Sequence, residues 1–263
     1  MYAFTYSKAS NVADAVGRLA DDGAKLLAGG QTLLPTMKQR LASPSTLVDL
    51  GGLKDLSGIE DKGDVLVIKA MTRHAEVASS PVVAKAIPGL EKLAALIGDP
   101  AVRHRGTIGG SVANNDPAAD YPAACLALNA TIVTDKRRIA AEDYFQGLFT
   151  TALDENEMIT AVEFPKVDKF GYAKFRNPAS RYAMVGVAIA KKGGDVRVAV
   201  TGSGSDGVFR WRDAEAKLAA NFAAAALDGM KADPSTMVSD IHGSPEYRAH
   251  LVGVMAKRAM ESI

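Results

Sequence analysis

Two stretches decide the reading of this chain: AGGQTLLP, Ala28–Pro35, and GTIGGSVANNDPAAD, Gly106–Asp120. The first sits directly behind the strand-like run Lys25-Leu26-Leu27, and both carry a pair of glycines. Glycine loses more backbone freedom on folding than any other residue, so paired glycines mark tight bends or places that something must approach closely. A pyrophosphate is best held by several main-chain N–H groups converging on one spot with no side chains in the way. Gly29-Gly30 and Gly109-Gly110 both suit that task, and the hydroxyls of Thr32, Thr107 and Ser111 add donors. Neither bend is followed by the Gly-Lys-Ser/Thr of a P-loop, and no magnesium-binding acid stands beside them, so phosphoryl transfer is not indicated. Together, two such bends can clamp one phosphorylated ligand without a metal.

Working outward, SNVADAVGRLADDG reads as an amphipathic helix with Ser10 as its cap and Gly23 as its stop. A strand (Lys25–Ala28), the first bend, a helical turn around Met37–Leu41 and a strand (Thr46–Leu50) complete a unit ending near Leu53. SGIEDKGDVLVIKA predicts a hairpin turning at Asp61–Asp64 into the strand Val65–Ala70. Helices follow from Thr72 and over Pro88–Gly98, the latter with proline at its start and glycine at its end. Asp99–Asp120 lacks regular periodicity and reads as a long loop, a feature that is often functional. Beyond it come a helix (Tyr121–Leu128) and strands at Thr131–Thr134 and Glu157–Pro165. The C-terminal third changes character. RYAMVGVAIAKKGGDVRVAVTG is a hairpin turning at Lys192–Asp195, followed by helices over Asp213–Leu227 and Ser244–Ile263, an α+β order.

Composition excludes several classes. The 263 residues are 48% hydrophobic and 23% charged with a formal net charge of +1, which gives no electrostatic footprint for nucleic acid or an acidic membrane. The one basic run, Lys136-Arg137-Arg138, reads as a solvated turn. A single cysteine, Cys125, allows no internal disulfide and no cysteine-ligated cluster, and its apolar surroundings suggest a buried thiol. His74, His104, His242 and His250 show no metal-ligand spacing and read as surface or loop residues. The N-terminus has no signal-peptide pattern and no run approaches the about 20 apolar residues of a membrane span, so a cytoplasmic protein is expected. GSGSDG, Gly202–Gly207, matches the dinucleotide-binding pattern, but it follows a hairpin strand and opens no helix; it reads as a turn. No general acid, base or nucleophile is assigned.

Taken together, LLAGGQTLLPTMKQRLASPSTLVDL (Leu26–Leu50) and IGDPAVRHRGTIGGSVANNDPAADYPAACLAL (Ile97–Leu128) resemble the FAD-binding medium subunit of the molybdenum hydroxylases. This is the carbon-monoxide-dehydrogenase-like and xanthine-dehydrogenase-like family, with its PCMH-type FAD domain. The similarity continues through YAKFRNPASRYAMVGVAIA (Tyr172–Ala190) to GSPEYRAHLVGVMAKRAM (Gly243–Met260). It implies an α+β chain: FAD-binding lobes over residues 1–54 and 55–170, each α/β, then a C-terminal domain over 171–263 with a three-stranded antiparallel sheet and helices. It further implies FAD between the lobes, its pyrophosphate on amides of Gly29, Gly30, Gln31, Thr32 and Leu33 and of Thr107, Ile108, Gly109, Gly110 and Ser111, with Ala28 also in contact with the cofactor. By the same match Asn114 and Asp120 fall in the ribityl and ribose region, Tyr182 near the isoalloxazine ring and Lys174 near the flavin edge. Other readings of these residues stand beside it: Asp120 as a cap of the helix at Tyr121, Asn114 satisfying loop amides, Tyr182 packed in the sheet. Arg181 occupies a position where some relatives carry an acid.

The resemblance also implies partners. These are a large molybdopterin-binding subunit and a small subunit with 2Fe–2S clusters, as a dimer of heterotrimers, with electrons leaving FAD for an external acceptor. A stand-alone FAD oxidoreductase using NAD(P)H and a flavin-free assembly protein are the alternative classes.

Overall fold

A computed structural model describes the whole chain, Met1–Ile263. Its strands fall into three principal sheets that follow one another along the sequence, plus one two-stranded hairpin.

The first sheet is parallel, in the order β1-β3-β2: β1 (Thr5–Lys8), then helix α1 (Val12–Leu19), β2 (Ala24–Leu27), helix α2 (Leu33–Lys38) and β3 (Thr46–Asp49). Asn11, not Ser10, caps α1, its Oδ1 accepting from Asp14 N–H at 2.8 Å; Ser10 instead donates to the Asp14 carboxylate. The strand β1 lies in TYSK, which has too few apolar residues to announce itself; pairing with β3 makes it a strand. This lobe's apolar cluster holds only seven buried residues, among them Ala15, Val48, Leu50 and, from the next lobe, Met158.

The second sheet is antiparallel, β4-β5-β10-β6-β7, built from β4 (Ile59–Asp61), β5 (Val65–Lys69), β6 (Thr131–Thr134), β7 (Arg138–Ala140) and β10 (Ile159–Pro165). Between β5 and β6 run helices α3 (His74–Ala78), α4 (Pro81–Ala86), α5 (Pro88–Ala95), α6 (Pro100–Arg103), α7 (Ile108–Asn114) and α8 (Tyr121–Ala127). The short helix α9 (Ala141–Tyr144) and the hairpin β8 (Phe145–Gly147), β9 (Thr150–Thr151) complete the lobe. The segment expected to be a long loop therefore contains two helices, capped by Asp99 and Thr107. Their brevity and glycine content hid the helical period. Lys136–Arg138 is no free turn either: Arg137 pairs with buried Glu157, whose carboxyl that guanidinium pulls down to about 2, and Arg138 pairs with Glu163.

The third sheet, β11-β12-β13-β14, consists of β11 (Lys169–Arg176), β12 (Ala183–Lys192), β13 (Asp195–Thr201) and the two-residue edge strand β14 (Phe209–Arg210), added to the three strands expected. Helices α10 (Arg212–Ala220) and α11 (Pro245–Glu261) cover one face. Strand β12 is buried on both sides. Val185, Val187 and Ile189 join the cluster under α11, while Ala188 and Ala190 belong to the larger cluster of 31 residues that also contains α8. All seven residues of α8 are buried, as expected of a helix that is apolar all round. It packs on β12, β13 and β14 and shares its cluster with Leu66, Ile68, Ile132 and Val162 of the second sheet, and its thiol, Cys125, is fully enclosed. Gly202–Gly207 is an ordered turn: Gly202 N–H donates to Pro117 O, and Arg248 holds the Gly202 carbonyl.

Candidate functional site

Parallel strands leave a crevice beyond their carboxyl ends, and ligands of open α/β sheets settle there. Here Lys8 ends β1, Ala28-Gly29 follow β2, Asp49 ends β3, and Gly51 and Gly52 follow it. Opposite them the second lobe presents Ser57, Met71, Arg73, Glu76, Arg105 and Thr107, enclosing a cleft of about 450 Å³.

The two glycine bends meet at this cleft. A Cβ on Gly29 would stand 2.2 Å from the Arg105 carbonyl oxygen and 2.7 Å from Gly106 Cα, so only glycine permits the approach. Gly30 adopts φ +70°, a left-handed conformation that costs other residues strain. From Gly29 through Leu33, five successive main-chain N–H groups donate to no acceptor within the chain. Unpaired donors in such a run are what an anionic ligand needs.

The second bend is built differently. Ile108 N–H donates to Thr72 O at 3.1 Å, Gly109 N–H to Ala70 O at 2.8 Å, and Gly110 N–H to the capping Thr107 Oγ1 at 3.2 Å. Amides expected to face a ligand are thus largely spent on fastening α7 to the β5–α3 connection. Thr107 N–H and the hydroxyls of Thr107 and Ser111 remain as its donors. Gly109 packs on Ala70, where a Cβ would come within 2.6 Å. Gly110 faces the first bend: a Cβ there would meet Ala28 Cβ at 3.7 Å and Thr107 Oγ1 at 3.0 Å. The first bend supplies amides and the second a bare wall.

Under the second bend lies His74, expected at the surface but only 5% exposed. Its ring fills the space beside Gly106, 5.4 Å from the Tyr121 ring, with Nδ1 unpartnered. Burial, helped by the charge of Arg103, pulls its pKa down to about 4. A polar neighbourhood in sequence, TRHAEV, gave no sign of this.

Helix α7, about 10 Å long at 1.5 Å per residue, leads from the bends to a second group of candidate residues. Asp120 does not cap α8. Its carboxylate accepts from Tyr172 Oη at 2.6 Å and from Lys174 Nζ at 2.9 Å, and Lys174 also donates to Leu96 O at 3.0 Å. Both side chains are nearly sealed from solvent, 4% and 1% exposed. Burial pushes the Asp120 carboxyl up and the Lys174 ammonium opposes it, while burial and the neighbouring carboxylate push the Tyr172 phenol up. The expected ligand-facing acid and lysine are therefore turned onto each other, because an acid at the head of a fully buried helix needs a counter-charge.

Asn114, half-buried at the end of α7, makes no side-chain hydrogen bond within the chain. The loop-tying role belongs to its neighbour Asn115, which has φ 44° and donates from Nδ2 to Gly147 O and Thr150 O at 2.8 Å each. Sequence reasoning missed Asn115, although an asparagine just past a helix end is a standard left-handed stop. Tyr182 lies outside β12 and is 45% exposed, so it is not packed in the sheet; burial and then the charges of Asp116 and Asp120 raise its phenol.

Residues 2–167 match the family described as FAD binding domain in molybdopterin dehydrogenase, and residues 170–263 the CO dehydrogenase flavoprotein C-terminal domain. The nicotine 6-hydroxylase medium subunit of Paenarthrobacter nicotinovorans is 36% identical, covering 98% of this chain and 96% of its own. The carbon monoxide dehydrogenase medium chain of Hydrogenophaga pseudoflava is 34% identical over 98% and 96%. A solved structure of that organism's carbon monoxide dehydrogenase, lacking the Mo-pyranopterin moiety, agrees with a TM-score of 0.88 at 35% identity over 99% of this chain and 97% of that one. Quinoline 2-oxidoreductase of Pseudomonas putida 86 gives 0.84 at 30% identity over 99% and 96%.

Proposed function

The chain belongs to the FAD-binding medium subunits of the molybdenum hydroxylases, and from that premise we propose how its own residues carry the flavin in an electron-transferring, multi-subunit dehydrogenase. The single observation that carries the reading is the contact of the two bends, Gly29 against Arg105–Gly106, beside five unspent amides. Side-chain-free walls and converging donors fit a diphosphate-linked flavin. The amides of Gly29, Gly30, Gln31, Thr32 and Leu33 hold its pyrophosphate, Ala28 and Gly110 shape the wall, and Thr107 and Ser111 add hydroxyls. Ile108 and Gly109 fix the second bend in place. Asn114 and Tyr182 face the flavin end, with Asp120 and Lys174 as the locked pair that supports it. FAD, held by these residues, would supply the electron-transfer chemistry. This chain's residues bind and orient it; none of them is assigned acid, base or nucleophilic work.

Residues 1–54, 55–170 and 171–263 act as two FAD-binding lobes and a C-terminal domain. One cysteine cannot ligate an iron–sulfur cluster, which supports the proposed partners, a large molybdopterin subunit and a small 2Fe–2S subunit, arranged as a dimer of heterotrimers. No helix is long and apolar enough to cross a membrane, and the complex works in the cytoplasm. The relatives are named for nicotine, carbon monoxide and quinoline, which fits a substrate chosen by a partner subunit. The first two bear subunit or chain names, and a stand-alone NAD(P)H-dependent enzyme finds no support among the relatives.

The test is a Gly110→Val substitution in the assembled complex. A valine side chain projects toward Ala28 with little backbone in its way, so the flavin spectrum is lost while circular dichroism is unchanged. A folded variant with normal flavin content, or a wild-type complex without flavin, overturns the reading.

A further inference from the structure

The first sheet ends on β1, and the outer edge of that strand is unpaired. Toward β3, Thr5 N–H donates to Ser45 O at 2.8 Å and Ala9 N–H to Asp49 O at 3.0 Å. Main-chain groups of successive residues alternate in direction, so Tyr6 and Lys8 turn theirs outward. The N–H and C=O of both residues meet no hydrogen-bond partner within the chain. Proteins blunt such edges with proline, a bulge or charges along the strand. This edge runs YAFTYSK (Tyr2–Lys8), aromatic and without proline, in regular register with β3, and its only charge is Lys8 at the cleft end.

An apolar stripe accompanies the free edge. Tyr2, Phe4 and Tyr6 recur at the strand period and all are exposed. Leu41, 76% exposed, and Arg40, whose guanidinium lies 5.6 Å over the Tyr2 ring, bring the segment after α2 to the same patch. Charge here has one sign. Residues 1–13 and 23–48 contain Lys8, Lys25, Lys38 and Arg40 and no acid, and none of the four enters an ion pair. A contiguous exposed apolar surface rimmed by polar groups marks an interaction site. The lobe behind it has only seven buried residues in its apolar cluster, so a further strand would add burial where the chain has least.

Resting on the multi-subunit reading above, we propose that β1 is an assembly edge: an extended, acidic segment of a partner subunit lies along it as a fourth strand of the first sheet. Tyr6 and Lys8 supply the main-chain hydrogen bonds, Tyr2, Phe4 and Leu41 receive apolar side chains, and Lys38 and Arg40 meet carboxylates. A helix satisfies its own N–H and C=O groups and has none to offer this edge. A second copy of this chain would bring like charges together. A lipid surface would strip water from main-chain groups and give them no partner. Tyr2 and Phe4 precede β1, at the end of the strand opposite the cleft, so the added segment leaves the flavin site open.

The experiment compares residue-resolved amide hydrogen exchange in the flavin-loaded full-length chain and in the assembled complex. In the chain alone the Tyr6 and Lys8 amides exchange freely, while those of Thr5 and Ala9 are protected. In the complex Tyr6 and Lys8 slow by about a hundredfold. Phe4→Glu and the double variant Lys38→Glu/Arg40→Glu each weaken capture by the partner subunits by about tenfold, and the double variant's defect shrinks as salt rises. Lys38 and Arg40 are exposed, so flavin content and melting temperature of the double variant match wild type. Should Phe4→Glu fail to fold, the exchange comparison on wild type still decides. A complex whose Tyr6 and Lys8 amides exchange as fast as in the free chain overturns the edge assignment and leaves the multi-subunit reading standing. Protection that appears when the chain alone dimerises, or on anionic vesicles, gives the edge to a second copy or to lipid and overturns it equally. If no partner subunit associates with the chain at all, the multi-subunit reading itself falls.

Discussion

The two glycine bends look alike in sequence and differ in almost everything that physics attaches to them. The first belongs to a thin lobe with a seven-residue apolar cluster, and its amides are unspent. The second stands on the lobe with the 31-residue cluster, and its amides are bonded to Thr72, Ala70 and Thr107. One bend is an array of free donors; the other is a bonded stop against which that array is packed. Damage to the bonded part of the second should therefore register as stability, and damage to the first, or to the Gly110 face that meets it, as affinity.

The largest effect expected lies behind the second bend. Lys174→Met leaves the Asp120 carboxylate buried without its cation, which costs about 3–5 kcal/mol; calorimetry should show a large fall in melting temperature. Acid tests the same support through His74. Its folded-state pKa, about 4, lies below the ordinary 6.5, so the unfolded chain binds the proton more readily. The stability it contributes is whole above pH 6.5 and is lost as pH falls toward 4, on the order of 3 kcal/mol in all. His74→Gln should flatten that part of the stability–pH curve; an unchanged slope would remove His74 from the account.

Smaller changes sharpen the contrast. Gly109→Ala forces a methyl into Ala70 and should destabilise by about 1–3 kcal/mol, while the folded fraction keeps its FAD affinity. Gly29→Ala, pressing on the Arg105 carbonyl, should instead release FAD at temperatures where the chain is still folded. Equal losses of flavin from both variants at equal melting temperature would abolish the division of labour. Thr107→Val removes the α7 cap, and a loss of about 1 kcal/mol is expected in denaturant unfolding.

How much of this was legible follows the range of the interactions. Glycine pairs, the Lys192–Asp195 turn and the Thr131–Thr134 strand are local, and sequence pattern found them. The helix over Ile108–Asn114 escaped because its glycines lower helix propensity and its cap, Thr107, reads equally well as a loop residue. Strand β1 and the Asp120–Lys174 pair depend on partners dozens of positions away, which periodicity does not reveal. Which bend would have free amides was hidden for the same reason: the acceptors that occupy the second one, Ala70 and Thr72, belong to a different element.

The lock between Asp120 and Lys174 joins residues on opposite sides of the seam between the two matched families, at 167 and 170. Thr201 reinforces it, its hydroxyl donating to Ala119 O at 2.7 Å. A fragment cut at that seam would strand a carboxylate in an apolar interior and uncover the wholly buried helix that follows it. What family boundaries present as two portable modules is, in its physics, a single inheritance: neither half can be borrowed without the other.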